Sequence, residues 1–478
     1  MPFSKWLRFA ASCGRVTCRR FRRHRLVIAG LFCVTLVVIS FHVTLIKTIY
    51  RSRWHVPEMT WFQSKGSVHH QGHLFRKTQI ESGFKIHQDQ NNSSSYYNLN
   101  PLHLKNKERV LRFRERCLGK ETEFIGLSSE TWAYGRIEID QRHGLLYCPL
   151  LKAGSTFWRR VFFAVRSGRT INTPYDISIG EALGGKPPTL GQSFPENSSA
   201  RQLFLNDALK VMFVREPYSR LLSGYVDKLF SPNPYFWNLV GKYIIGKFRK
   251  NPSAHSLKCG HDVTFQEFVK YVIFTEEHND THRDAHFTPT YDQCKPCEID
   301  YNVIGKMETF KEDAAYIFSN MGYNISKNTL RTWAKTAEED AVADSTKSPF
   351  SWWKWIVKCM SLEEAGKRVW RKMQIRGILG KNIKYPFKRQ NLKAMPATKF
   401  IKTVLKFSGA SNKAELKTQK AEALMEAFGQ VPKEDVEKLK NLFRPDFDLF
   451  GYEAEPGYLF QETSSVPFSP WIFDLKTL

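Results

Sequence analysis

The chain has 478 residues, 42% of them apolar and 14% aromatic, enough to bury a large core and to exclude a disordered or collagen-like polymer. Lys and Arg exceed Asp and Glu by 26, a surplus that concentrates polyanions and admits nucleic acid, anionic membrane or acidic glycans as partners. Eight of these charges (Lys5, Arg8, Arg15, Arg19, Arg20, Arg22, Arg23 and Arg25) precede residue 26 with no acid among them, leaving +18 for the remainder.

Residues 26–46 are 21 consecutive residues without a charge. About 20 helical residues cover a hydrocarbon core of roughly 30 Å, so this stretch is expected to span a membrane as an uncleaved signal anchor, preceded by a cytoplasmic tail at 1–25. Only Lys47, Arg51 and Arg53 follow it closely, and the positive-inside rule then places the rest of the chain on the lumenal side. Five sequons (Asn91, Asn92, Asn197, Asn279 and Asn324) agree with that side. In an oxidising compartment some of Cys117, Cys148, Cys259, Cys294, Cys297 and Cys359 are expected to be bridged, although six cysteines allow 15 pairings and spacing does not choose among them.

Residues 47–105 are rich in Gln, His, Ser and Asn, with little hydrophobic periodicity, which suggests a lumenal stem. From 106 to 460, apolar runs and helical patterns recur without a fixed period, as expected of one mixed α/β domain, followed by a C-terminal tail at 461–478. Residues 145–151 (LLYCPLL) suit a buried strand, Lys152, Ala153 and Gly154 a turn, and Ser155 or Thr156 the cap of a helix whose apolar face is Phe157, Trp158, Val161, Phe162 and Val165. The plan recurs at residues 209–214 (LKVMFV), followed by Arg215, Glu216 and a helix opened by Pro217 with Leu221, Leu222, Tyr225 and Leu229 on one face. Thr264 with Glu267 and Thr309 with Glu312 have capping-box spacing, and residues 301–304 read as a further strand.

A strand that turns through small residues into a helix gathers backbone N–H groups and the positive helix end at one point, which is an anion site. Lys152 stands in the first such turn, where an ammonium can hold a phosphoryl or sulfuryl group and neutralise charge on a leaving oxygen; Ser155 and Thr156 add hydroxyl donors. Arg215 follows the second strand, where its fork can meet a phosphate, and Ser223 lies about two turns further on. The bland alternatives are a surface lysine beside an ordinary cap, and an ion pair of Arg215 with Glu216 or Asp227. The order of lysine and glycine is not that of a Walker A loop.

The stretch from Lys152 to Arg160 (KAGSTFWRR) resembles the 5′-phosphosulfate loop of Golgi carbohydrate sulfotransferases of the HNK-1/chondroitin 4-O-sulfotransferase-like family, and residues 211–225 (VMFVREPYSRLLSGY) resemble its 3′-phosphate motif. Residues 294–297 (CKPC), 301–308 (YNVIGKME) and 444–452 (RPDFDLFGY) are also similar to it. The resemblance implies a P-loop-like α/β sulfotransferase fold with a central parallel sheet behind a single transmembrane helix, in a type II Golgi membrane protein. It implies 3′-phosphoadenosine 5′-phosphosulfate (PAPS) as sulfuryl donor, with Lys152, Ala153, Gly154, Ser155 and Thr156 at the 5′-phosphosulfate and Arg215 and Ser223 at the 3′-phosphate. It implies no metal and no nucleic-acid partner. Leu151 and Phe157 depart from the family, which has proline and asparagine at those places.

The acceptor hydroxyl needs a base, and His286, followed by Phe287, is similar to the family's His-aromatic pair; imidazole titrates near neutrality and suits the role. His278, His282 and His286 at spacing four, followed by Cys294 and Cys297, also permit a zinc site if the first stretch is helical, but lumenal cysteines more often bridge. Residues 331–430 read as an enlarged helical insertion; Trp352, Trp353 and Trp355 among basic residues suit either a glycan surface or, as preferred here, core packing beneath solvated lysines. The expected function is sulfuryl transfer from PAPS to a glycan hydroxyl, with an acidic chondroitin- or dermatan-type or GalNAc-containing acceptor suited to the +18 charge. A lumenal glycan kinase and an inactive, membrane-tethered glycan-binding protein are the alternatives.

Overall fold

The computed structural model describes residues 97–118, 133–460 apart from 389, 391 and 394, and 471–478. The anchor read at 26–46, the tail before it and the stem up to residue 96 lie outside the described residues. Among the described residues no helix is long and apolar enough to cross a membrane.

Four strands form one mixed sheet in the order β1 (Glu138–Asp140), β2 (Leu145–Cys148), β3 (Leu209–Val214) and β4 (Val303–Lys306). β1 is antiparallel to β2, while β2, β3 and β4 run parallel. The central strands are buried on both faces, which is why β3 reads as a nearly continuous apolar run. Successive side chains alternate between two cores: Tyr147, Val211, Phe213 and Val303 join Trp158, Phe162 and Phe318, whereas Leu146, Met212, Val214 and Ile304 join Phe113, Tyr301 and Leu449. Gly305 is required in β4 because a Cβ there would lie 2.4 Å from the Phe213 ring of the neighbouring strand.

The first helix, α1 (Leu99–Cys117), begins inside the segment read as stem, and the reason is the open edge of β4. Asn106 accepts from the Ile304 N–H and donates to the Asn302 carbonyl, both at 3.1 Å, and Arg109 donates to the Ile304 carbonyl at 2.9 Å. These side chains satisfy backbone groups that an uncovered edge would leave unpaired. Two helices, α2 (Ser155–Ser167) and α3 (Pro217–Tyr225), leave the carboxyl ends of β2 and β3 and bury the apolar faces expected of them. The capping box predicted for α4 (Phe265–Glu277) is present at Thr264 and Glu267. The one predicted for α5 (Phe310–Asn320) is not: the Thr309 hydroxyl donates to Asp313 at 2.6 Å and accepts from Arg109 at 3.0 Å instead, drawn away by the arginine of α1.

The segment read as an insertion, 331–430, is largely helical, and much of it packs around one apolar cluster. α6 (Lys327–Ser351), α7 (Leu362–Ile375), α8 (Ala397–Gly409) and α9 (Lys413–Gly429) follow in order, with Val342, Trp370, Met373, Phe400 and Val404 packed together. Its three clustered tryptophans are a correction: Trp352, Trp353 and Trp355 are 40%, 50% and 57% exposed, because the single helical turn Trp353–Ile356 buries Ile356 on its inner side and turns the indoles outward. The C-terminal segment is also no tail. Ile472 is fully buried, Trp471 and Ile472 donate their N–H groups to Glu426 at 2.6 and 2.9 Å, and Phe473 packs on Tyr225 and Phe265.

All six predicted cysteines pair, as Cys117–Cys297, Cys148–Cys294 and Cys259–Cys359. The zinc alternative therefore fails on both counts: the sulfurs of Cys294 and Cys297 are in disulfides, and α4 ends at Glu277, so the three histidines stand in successive turns rather than on one helix face. Cys259–Cys359 joins the insertion to the body across 100 residues, a loop whose closure is worth about 4–5 kcal/mol in the chain-entropy account. Cys359→Ser is expected to destabilise the protein by about 2–4 kcal/mol; a denaturant midpoint unchanged from wild type, measured without reductant, would refute it. The three sequon asparagines among the described residues, Asn197, Asn279 and Asn324, are all exposed.

Candidate active site

The two strand-to-helix turns meet. β2 ends in a turn where Lys152 takes a left-handed conformation (φ +69°) and Gly154 another (φ +77°), so the chain reverses tightly before α2. No side chain caps the start of that helix; Ser155 and Thr156 lie inside its first turn, and the N-cap position belongs to Gly154. At the second turn Glu216 caps α3, accepting from the N–H groups of Tyr218 and Ser219 at 2.9 and 2.6 Å. Arg215 folds back and donates to the Lys152 carbonyl at 3.3 Å, and to the Ser219 hydroxyl at 3.1 and 2.9 Å. The ion pair weighed for it does not form: among the described residues no carboxylate lies within ion-pair distance of Arg215. Ser223 is half-buried one turn beyond Ser219 on the same helix face, and Ser219 is the hydroxyl that Arg215 uses.

Asp227 pairs with Lys152 instead, at 2.8 Å, and also with Lys228 at 3.3 Å and Lys372 at 2.6 Å. Burial alone would raise its carboxyl, but the three ammonium groups hold it well below the usual carboxylate range. Burial pushes Lys152 down to about 8 against the pull of Asp227. The lysine is thus a cation at neutral pH that gives up its proton unusually easily.

His286 faces the same group. Its Nδ1 lies 2.6 Å from Asp284 Oδ1, and since burial of Asp284 is outweighed by its bonds to His286, that carboxyl stays below its ordinary value and is ionised. An ionised carboxylate only accepts, so Nδ1 carries the proton and Nε2 presents a lone pair. Burial depresses His286 below the ordinary imidazole value, Asp284 opposes this, and repulsion from Lys228 and Lys152 adds to it. Phe236 links the two halves: its ring centroid is 5.2 Å from the His286 ring and 4.9 Å from Lys228 Nζ.

The loop that carries His286 is held from both sides. Buried Arg220 of α3 donates to the carbonyls of Thr288 and, at 3.5 Å, His286. Asp446, in the helix α11 (Arg444–Phe450) that follows α10 (Lys433–Leu442), accepts from the N–H groups of Thr290 and Tyr291 at 2.7 and 2.8 Å. Gly224 allows the close approach, because a Cβ there would stand 2.9 Å from the Phe287 ring. In the same way Glu308 accepts from the Glu216 N–H at 3.1 Å and from the Tyr452 hydroxyl at 3.0 Å. The stretches 301–308 and 444–452 therefore position the site.

The structure brings Lys152, Arg215 and His286 into one neighbourhood, with Ser155, Thr156 and Ser223 on its flanking helices. Lys228, Asp284, Ser219 and Lys372 escaped the sequence reading, and Asp227, weighed there as a partner of Arg215, pairs with Lys152 instead. Asp284, two residues before His286, carried an audible signal as an Asx-type partner; Lys372, 220 positions from Lys152, carried none.

An ammonium, a guanidinium and an imidazole with a free ring nitrogen, gathered at two strand-to-helix turns, can chemically hold an anionic group and accept a proton beside it. Residues 136–352 match the sulfotransferase family. The chain is similar to carbohydrate sulfotransferase 8 of Mus musculus (33% identity, over 45% of this chain and 50% of that protein) and to carbohydrate sulfotransferase 11 of Mus musculus (34%, over 42% and 58%). It is also similar to carbohydrate sulfotransferase 9 of Homo sapiens (34%, over 39% and 41%). The chain spans about half the length of the curated relatives it matches. No solved structure matches. Residues 136–352 are thus similar to the sulfotransferase family, and the relatives that this part of the chain matches are carbohydrate sulfotransferases.

Proposed function

We propose that this protein is a PAPS-dependent carbohydrate O-sulfotransferase acting on a chondroitin- or dermatan-type or GalNAc-containing glycan, from a Golgi membrane in which residues 26–46 anchor it with its catalytic domain lumenal. The observation that carries the reading is the joined pair of turns, Arg215 on the Lys152 carbonyl, beside an Asp284–His286 dyad whose Nε2 is unprotonated. The donor fits these residues: an uncapped helix start, an ammonium and a guanidinium without a carboxylate partner are complementary to its phosphates.

PAPS, when bound, supplies a sulfuryl group on a phosphate leaving group. His286 Nε2 takes the proton of the acceptor hydroxyl as its oxygen bonds to sulfur. Lys152 neutralises the bridging oxygen that departs with the 5′-phosphate as the old sulfur–oxygen bond breaks. Arg215, with Ser219 and Ser223 on the adjoining face of α3, holds the 3′-phosphate. The exposed Trp352, Trp353 and Trp355, with Lys358 4.4 Å above the Trp355 ring, suit stacking on sugars and attraction of their acids.

A glycan kinase would need carboxylates free to hold Mg²⁺, and the nearest, Asp227, is already taken by three lysines. Full-length protein supplied with labelled PAPS and a panel of desulfated chondroitin, dermatan, heparan and N-glycan acceptors is expected to label a galactosaminoglycan. Labelling of heparan alone would overturn the acceptor class, and labelling from ATP but not PAPS would establish the kinase.

A further inference from the structure

The insertion lies largely beyond the residues that match the sulfotransferase family, yet its helix α7 enters the site. Lys372 is only 5% exposed at its side chain and shares Asp227 with Lys152, one on each carboxylate oxygen. Buried ammonium groups are costly unless paired. Three lysines on one carboxylate leave two positive charges unbalanced, a deficit that an incoming dianion removes.

One helical turn later, Arg376 stands at the C-cap of α7. Residues four apart lie about 6 Å from one another on a helix face. Arg376 is exposed, donates to Ser345 at 3.0 Å, and its charge repels that of Arg215. Lys420 of α9 runs across Gly377, where φ is +67° and a Cβ would stand 2.7 Å from the lysine stem; it feels both Arg215 and Arg376. Lys372, Arg376 and Lys420 thus form a second group of cations, the first sharing Asp227 with Lys152 and the other two within electrostatic reach of Arg215.

We propose that the insertion completes the donor site, with Lys372 binding the 5′-phosphosulfate beside Lys152, and Arg376 and Lys420 binding the 3′-phosphate beside Arg215. This rests on the reading of Lys152 and Arg215 as donor ligands. Without donor, Lys372 shares with Lys152 and Lys228 in neutralising Asp227.

Calorimetric binding of two probes to the full chain separates the ends: 3′-phosphoadenosine 5′-phosphate, which has both phosphates, and adenosine 5′-phosphosulfate, which lacks the 3′-phosphate. Lys372→Met is expected to weaken both probes by about tenfold or more, whereas Arg376→Met and Lys420→Met weaken only the first, by about tenfold each. Arg376 and Lys420 are exposed, so their replacement leaves folding intact even if Lys372→Met does not fold. Unchanged binding of the bisphosphate by the Arg376→Met, Lys420→Met double variant, with Arg215→Met defective alongside, would overturn the proposal and leave the donor reading standing. Failure of the wild type to bind either probe would sink the donor reading itself.

Discussion

Replacement of Lys152 by Ala is expected to lower kcat for sulfuryl transfer by about 10²–10³-fold, the usual effect of removing one group that stabilises charge developing in a transition state. The ammonium is poised for that role: it sits in a left-handed turn between β2 and α2, and its one carboxylate partner is shared with two further lysines. Its removal leaves Asp227 with Lys228 and Lys372, so no buried charge is stranded and the fold should survive. The left-handed backbone at 152 costs alanine no more than lysine, since both carry a Cβ. Initial rates with labelled PAPS, with thermal melts as a control on folding, test this. A folded variant within twofold of wild type would reduce Lys152 to a structural ion pair.

His286→Ala is expected to lower kcat by about 10²–10⁴-fold, the range for loss of a positioned general base, while binding of 3′-phosphoadenosine 5′-phosphate stays unchanged. The pH profile separates this from a merely structural histidine. His286 must be neutral to accept a proton, and its pKa lies below the ordinary imidazole value, so kcat/KM should hold as pH falls through 6.5 and decline only below it. Lys152 must be protonated, and with its pKa at about 8 the same parameter should fall as pH rises through that value. Wild type should therefore show two limbs, and the His286→Ala residual rate should lose the acidic one. An acidic limb that persists in the variant would assign it to another group.

The sharing of Asp227 by three lysines links these effects. Protonation or loss of that carboxylate would leave three ammonium groups facing one another, so the acid is what permits three lysines to gather there. Burial first, and then repulsion from Lys228 and Lys152, hold His286 below the ordinary imidazole value, which favours its neutral, proton-accepting form. The site's cations and its base are thus coupled through space.

Local chemistry was readable along the chain wherever cause and effect lie within a few residues. The runs at β2 and β3, the Lys152 turn, the proline that opens α3 and the apolar faces of α2 and α3 follow from periodicity and from the backbone needs of a strand-to-helix turn. Those features, with the motifs at 152–160 and 211–225, carried the resemblance to sulfotransferases and the expectation of two anion-binding turns. What only the tertiary structure decided depends on contacts between distant segments. Asn106 reaches the open edge of β4, which put α1 in the body and not the stem, and Arg109 recruited Thr309 from the cap it was spaced to make. Lys152 found Asp227, not a free anion, because α3 unwinds into the turn Val226–Phe230 that aims the carboxylate back at β2. The segment read as an insertion put Lys372 against that carboxylate and left its tryptophans in solvent, since Ile356, Met360 and Ala365 are the side chains that pack with Trp237. No periodicity encodes such pairings, because a side chain's partner is set by where whole elements pack.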